Sequence, residues 1–148
     1  MRGALVGLAL AGALAQGCGG DSTEDAFVGV WKGTGTNNVR CGTGAGMTSA
    51  LNETITITKG VNAPLLVVVG DCSLQMDETG TMATLRPGQM CTVKRDNVSS
   101  MATYSAGNFT VSGVAATFSL AATFTVGEGA VVLQCTYLAT GTATKMPK

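Results

Sequence analysis

The chain has 148 residues, with nine basic and nine acidic side chains and no histidine. A net charge of zero argues against nucleic-acid binding, which needs a basic surface, and the lack of histidine excludes the usual Ser-His and Cys-His nucleophiles. Only 12% of the residues are charged, whereas glycine and threonine are abundant, a composition that favours one all-β domain with many turns.

The first segment, residues 1–17, has the pattern of an export signal. Arg2 precedes the unbroken apolar run Ala4–Ala15, and Gln16 and Gly17 lead to Cys18. A basic start, an apolar core and a small residue at the cut are the features of a secretory signal. The run is shorter than the about twenty apolar residues that a bilayer span needs. We therefore expect this segment to be removed.

The Gly17-Cys18 pair resembles the lipobox of bacterial lipoproteins, although Ala15 stands where that family usually has leucine. The resemblance implies cleavage before Cys18, lipidation of Cys18 with acyl chains such as palmitate, and anchoring in the bacterial cell envelope, with the outer membrane favoured. Residues 18–26 would form a lipidated tether and residues 27–148 the β domain. A plain secretory signal, with Cys18 in a disulfide, is the alternative.

Alternation of apolar and polar residues predicts the strands that follow. The first strand begins at Phe27, and Leu51–Thr58 alternates with isoleucines on one face. Turns are predicted at Asp77–Gly80 and Arg86–Gln89. The clearest pattern runs from Val114 to Val126. The predicted core includes Trp31, Ile55, Ile57, Phe118, Leu120, Phe124 and Leu133.

Seven to nine short strands in sequence order predict a single antiparallel meander. Such a sheet hides its edges by closing on itself. We therefore predict an all-β domain that forms a closed or nearly closed β-barrel of about eight strands.

The cysteines predict two disulfides. If Cys18 carries lipid, an even number of cysteines remains in an exported domain, and three connectivities are possible. Cys72 and Cys91 flank a local excursion with two turns, so we predict that they pair. Cys41, after the first strand, then pairs with Cys135 on the last strand, across the closure of the barrel. No CxxC pair and no histidine are present, so we expect no metal site.

The segment Gly29-Val30-Trp31 resembles the G-x-W opening of lipocalins and fatty-acid-binding proteins. The resemblance covers only a short stretch, and it implies an antiparallel barrel that holds a small apolar ligand. The arginine that packs on this tryptophan in the family has no assignable counterpart in the sequence.

The acidic residues offer no clear catalytic pair. Glu53 shares a face with Ile55 and Ile57, where a carboxylate can act as a functional acid, but a strand end in water is the simpler explanation. Asp77 and Glu78 fall in a predicted turn. We expect no enzyme activity and no cofactor.

Three function classes remain open. The first is a membrane-anchored envelope lipoprotein with a structural or interaction role. The second is a lipocalin-like barrel that binds a small apolar ligand, and the third is an envelope inhibitor of a secreted enzyme. An internal cavity would favour the second class. A filled core would favour the third if one charged loop protrudes, and the first if the surface is bland.

Overall fold

A computed structural model describes residues 26–95, 98–127 and 132–148. Its elements are nine β strands, and no helix among the described residues is long and apolar enough to cross a membrane. In chain order the strands are β1 (Gly29–Cys41), β2 (Met47–Lys59), β3 (Leu65–Val69), β4 (Cys72–Thr79), β5 (Met82–Leu85), β6 (Gln89–Arg95), β7 (Val98–Ser112), β8 (Ala115–Val126) and β9 (Leu133–Lys145).

The strands form one antiparallel sheet that closes on itself. Consecutive strands pair with each other, except β5 with β6, and β1 pairs with β9 from Trp31↔Lys145 to Cys41↔Cys135. β5 also pairs with β7, from Met82↔Thr110 to Thr84↔Asn108. Eight strands therefore complete a barrel, and β6 is an additional strand along the first half of β7. The predicted all-β antiparallel barrel is confirmed.

The predicted turn at Arg86–Gln89 is a kink rather than a reversal. β5 and β6 both run antiparallel to β7, so β6 continues the direction of β5. Pro87 interrupts the ladder because it has no N–H, and Gly88 has a φ of 81°, which suits glycine. The chain bends here, and Gln89 already belongs to β6.

The turn predicted at Asp77–Gly80 is shifted along the chain. β4 runs to Thr79, and the turn falls at Gly80 and Thr81. Asp77 and Glu78 pair in the β4–β5 ladder with Thr84 and Ala83. Ladder pairing therefore overrides the turn preference of these acidic residues.

The core follows the predicted alternation. Trp31, Ile55 and Ile57 are buried, and Phe118, Leu120 and Phe124 are partly buried against the same cluster. The prediction for Leu133 is wrong, because this side chain is 47% exposed. It pairs with Val126 at the last position of the β8–β9 ladder. Alternation assigned its face correctly, but the strands extend beyond the packed part of the barrel.

Candidate functional site

The N-terminal segment plugs one end of the barrel, which we call the lower end, where β1 begins and β9 ends. Phe27 and Trp31 are fully buried there. The Trp31 Nε1–H donates a hydrogen bond to the Phe27 carbonyl at 2.8 Å. The Trp31 ring meets Phe109 edge to face, with centroids 5.2 Å apart. The Phe27 and Trp31 rings, with the indole N–H hydrogen-bonded, therefore close this end.

A cation from the last strand covers this tryptophan. Lys145 Nζ lies 5.5 Å from the centroid of the Trp31 ring and donates a hydrogen bond to the Ala26 carbonyl at 3.0 Å. Lys145 thus links the end of β9 to both the Trp31 ring and the chain that enters the barrel. Sequence reasoning missed it because only the β1–β9 register places Trp31 opposite Lys145.

The barrel interior is packed. A partly open cavity between its walls has a volume of about 40 Å³, and aliphatic and aromatic side chains such as Ile55, Leu74, Phe109 and Phe118 dominate its lining. That volume holds at most a few water molecules. Sites for small molecules usually have volumes of roughly 300–1,000 Å³. This cavity therefore has no room for a lipocalin-type ligand.

An open groove lies outside the barrel, beside the β-bulge between Tyr104 and Ala106. It encloses about 530 Å³, and its lining includes Met82, Pro87 and Asn108. No side chain that lines it is titratable. The groove therefore offers a contact surface with hydroxyl and amide groups but without a titratable acid or base.

Both predicted disulfides are present. Cys41–Cys135 joins directly opposed residues of β1 and β9, with a Cα–Cα distance of 4.0 Å. Cys72–Cys91 joins β4 to β6, with a Cα–Cα distance of 5.6 Å. The Tyr104 hydroxyl lies 3.4 Å from Cys72 Sγ, and burial raises the pKa of Tyr104. The first bridge latches the first strand to the last, and the second spans strands whose backbones do not pair.

A glutamine side chain bridges the same seam between β4 and β6. Gln89 Oε1 accepts a hydrogen bond from the Gln75 N–H at 2.6 Å, and Gln89 Nε2 donates to the Gln75 carbonyl at 2.9 Å. Nε2 also lies 2.6 Å from the Arg86 carbonyl. The Arg86 N–H also donates to the Gln75 carbonyl at 3.1 Å, so the side-chain amide replaces a strand partner chiefly for the Gln75 N–H. Sequence reasoning missed this role because nothing local to Gln89 signals the seam.

The acidic candidates do not converge on a site. Glu53 is exposed as expected, but it lies in the middle of β2 and not at a strand end, and Asp71 is exposed in the β3–β4 turn. Glu78 is half-buried, and its Oε1 is buried without a hydrogen-bond partner. No three potential metal ligands cluster within residues 26–95, 98–127 and 132–148.

Asp77 serves a structural ion pair. Its carboxylate receives hydrogen bonds from Arg86 Nε and Nη2, the shortest at 2.6 Å. These bonds lower the pKa of Asp77 and raise that of Arg86. Arg86 Nη1 also donates to the Asn62 carbonyl at 2.6 Å. The pair therefore ties the kink after β5 to β4 and to the β2–β3 loop.

Two predicted features lie outside the described residues: the signal 1–17 and the lipidation site Cys18. Comparison of the chain with protein-family models, curated protein sequences and solved structures finds no match.

Proposed function

We propose that this chain is a membrane-anchored lipoprotein of the bacterial cell envelope, with its lipid on Cys18 and the outer membrane as its site. Its role is structural or interactive and uses the outside of the barrel. The small volume of the interior cavity, about 40 Å³, supports the second part of this proposal, because that cavity is too small for a larger partner.

The disulfides support export. Cys41–Cys135 and Cys72–Cys91 use every cysteine except Cys18. Stable disulfides belong to oxidising compartments such as the periplasm. Cys18 is then the one cysteine left for lipid, which agrees with the lipobox resemblance.

Membrane fractionation and intact mass test the anchor. The wild-type chain should begin at Cys18, carry a diacyl or triacyl addition, and sediment with membranes. The Cys18→Ala variant should appear in the soluble fraction with both disulfides intact. A soluble wild-type chain with an unmodified N-terminus would refute the anchored lipoprotein.

A lipocalin-like barrel is the second candidate, favoured by the closed meander. This candidate requires the interior to expand, because the present cavity is small. Titration with a fluorescent fatty acid tests it. Saturable binding that Phe118→Trp abolishes, by filling the remaining space, would support an internal ligand. No binding would leave the outer surface as the functional part.

One structural feature favours the third candidate, an envelope inhibitor. Thr92–Arg95 and Val98–Met101 pair with each other but with no further strand among the described residues. This pair of segments, the β6–β7 arm, follows directly after Cys91 and its disulfide to β4. A panel of secreted hydrolases tests this candidate: inhibition near equimolar ratio that is lost when the arm is shortened would support it.

A further inference from the structure

The chain enters the barrel at its lower end. Lys145 Nζ binds the Ala26 carbonyl, and the next residue, Phe27, is fully buried. A stretched chain spans about 3.3–3.6 Å per residue, so the eight steps from Cys18 to Ala26 reach roughly 25–30 Å at most. If Cys18 carries lipid, the lower end is therefore held close to the bilayer.

Both ends of the barrel expose apolar side chains: Met47, Val132 and Leu133 are exposed at the opposite end, and three lie at this end. Val61 in the β2–β3 loop is 99% exposed, Val114 in the β7–β8 turn is 67% exposed, and Met146 after β9 is 48% exposed. The Lys145 N–H bonds the Val114 carbonyl, and the Met146 N–H bonds the Val30 carbonyl, both at 2.8 Å. Val114 and Met146 thus adjoin the residue that holds Ala26, and Val61 follows the end of β2, where Ile57 pairs with Gly29.

Lysines accompany these aliphatic side chains. Lys59 ends β2, Lys145 ends β9, and Lys32 lies on the outer face near the start of β1. These lysines contribute positive charge near the lower end, where Lys145 Nζ is held at the Ala26 carbonyl. The tether carries Asp21, Glu24 and Asp25, whose charges offset those of the lysines. Contact with lipid would therefore depend on the aliphatic side chains more than on net charge.

We propose that the lower end rests on the bilayer that holds the anchor, with Val61, Val114 and Met146 at the boundary between headgroups and acyl chains. The opposite end, with the β6–β7 arm, then points away from the membrane. This inference rests on the proposed lipid anchor. Beyond the anchor itself, it specifies which end of the barrel the membrane covers and which end remains free for a partner.

Quenching by a lipid-attached nitroxide tests this orientation. The lipidated protein is placed in vesicles of phosphatidylglycerol and phosphatidylethanolamine, and a fluorophore is attached to a new cysteine, Val61→Cys or Met47→Cys. Met47 is the matched control, because it is 73% exposed at the other end of β2. Quenching should be several-fold stronger at position 61, and high salt should preserve the difference. Equal quenching at both positions, or stronger quenching at position 47, would overturn the inference.

A second comparison tests the aliphatic side chains themselves. The combined changes Val61→Asp and Val114→Asp should reduce quenching of a fluorophore at position 81 in the β4–β5 turn, whereas Met47→Asp should leave it unchanged. All three positions are exposed, so melting temperatures should stay close to that of the wild type. Unchanged quenching in the double variant would overturn the role given to these side chains.

The two proposals fail in distinguishable ways. Intact mass alone decides whether Cys18 carries lipid, and an unmodified Cys18 overturns both proposals. A lipidated chain with equal quenching at positions 61 and 47 overturns only the orientation.

Discussion

Two glycines set the distance between the first and last strands. A Cβ at Gly141 would contact the Thr34 carbonyl and lie 2.8 Å from Phe118 Cζ, and a Cβ at Gly35 would contact the Thr140 carbonyl. Gly35 and Gly141 are direct partners in the β1–β9 ladder, and the Phe118 ring fills the space beside Gly141. The absence of two side chains thus permits the close approach at the barrel closure.

Gly141→Ala should therefore destabilise the protein by about 1–3 kcal/mol, because the new methyl group must displace backbone and an aromatic ring. Urea denaturation measures the change. Gly44→Ala is the control, since its Cβ would meet only the Cys41 carbonyl, at 3.3 Å, in the exposed β1–β2 loop. Equal stability of the two variants would contradict the close approach of β1 and β9.

The Asp77–Arg86 pair should make stability depend on acid pH. The pKa of Asp77 in the folded protein lies below its ordinary value of 3.8, chiefly because Arg86 donates hydrogen bonds to the carboxylate. A lowered folded-state pKa stabilises the fold above the unfolded value, and this contribution is lost as pH falls through the folded value. Asp77→Asn should lower the melting temperature at neutral pH but not well below pH 3.8.

The Asp77→Asn, Arg86→Gln double variant supplies the control. If the two residues act as a pair, the effects of the single changes at neutral pH should not add. Additive effects, or a loss of melting temperature that persists in acid, would contradict the ion pair. The expected shift is small, because both groups are exposed to solvent and exposed ion pairs contribute little to stability.

At the scale of elements, the kink between β5 and β6 decides how the barrel closes. Pro87 and Gly88 interrupt the ladder, so β6 continues along β7 but no longer pairs with β4. Cys72–Cys91 and the Gln89 side chain span the resulting seam. One covalent bridge and one side-chain amide therefore replace a stretch of backbone pairing.

The Gln89→Ala variant tests how far the seam between β4 and β6 depends on the Gln89 side chain. Loss of the side-chain amide removes the partner of the part-buried Gln75 N–H, and losing such a hydrogen bond costs about 0.5–1.5 kcal/mol. Amide hydrogen exchange at Gln75 should become faster, while exchange at Val67, in the β3–β4 ladder, stays slow. Gln134→Ala, at an exposed position of β9, should change neither. Unaltered exchange at Gln75 would show that water replaces the side chain at no cost.

The sequence predicted the strands better than their ends. Period-two alternation identified β2 and β8 because each has one buried face. It misplaced the turn after β4, since the pairing partners of Asp77 and Glu78 lie on another strand. It placed Leu133 in the core because alternation assigns a face and not a depth. Lys145 and Gln89 were missed because their contacts depend on register and on the seam.

At the scale of the whole molecule, the disulfide prediction and the fold support each other. A bridge between Cys41 and Cys135 is natural where the first and last strands are neighbours, and β1 and β9 do pair through these residues. The interior volume was not predictable from the sequence, because it depends on how side chains from opposite walls meet across the barrel. The packed interior then directs attention to the outer surface.

Native mass spectrometry of the wild-type protein extracted from membranes tests the central claim most directly. The claim is that a lipid on Cys18 holds a packed barrel that carries no internal ligand. The expected mass is that of residues 18–148 with two disulfides and an acyl addition at Cys18, and it should be the same under native and denaturing conditions. A small molecule that is bound under native conditions and lost on denaturation, or an unmodified Cys18, would contradict the claim.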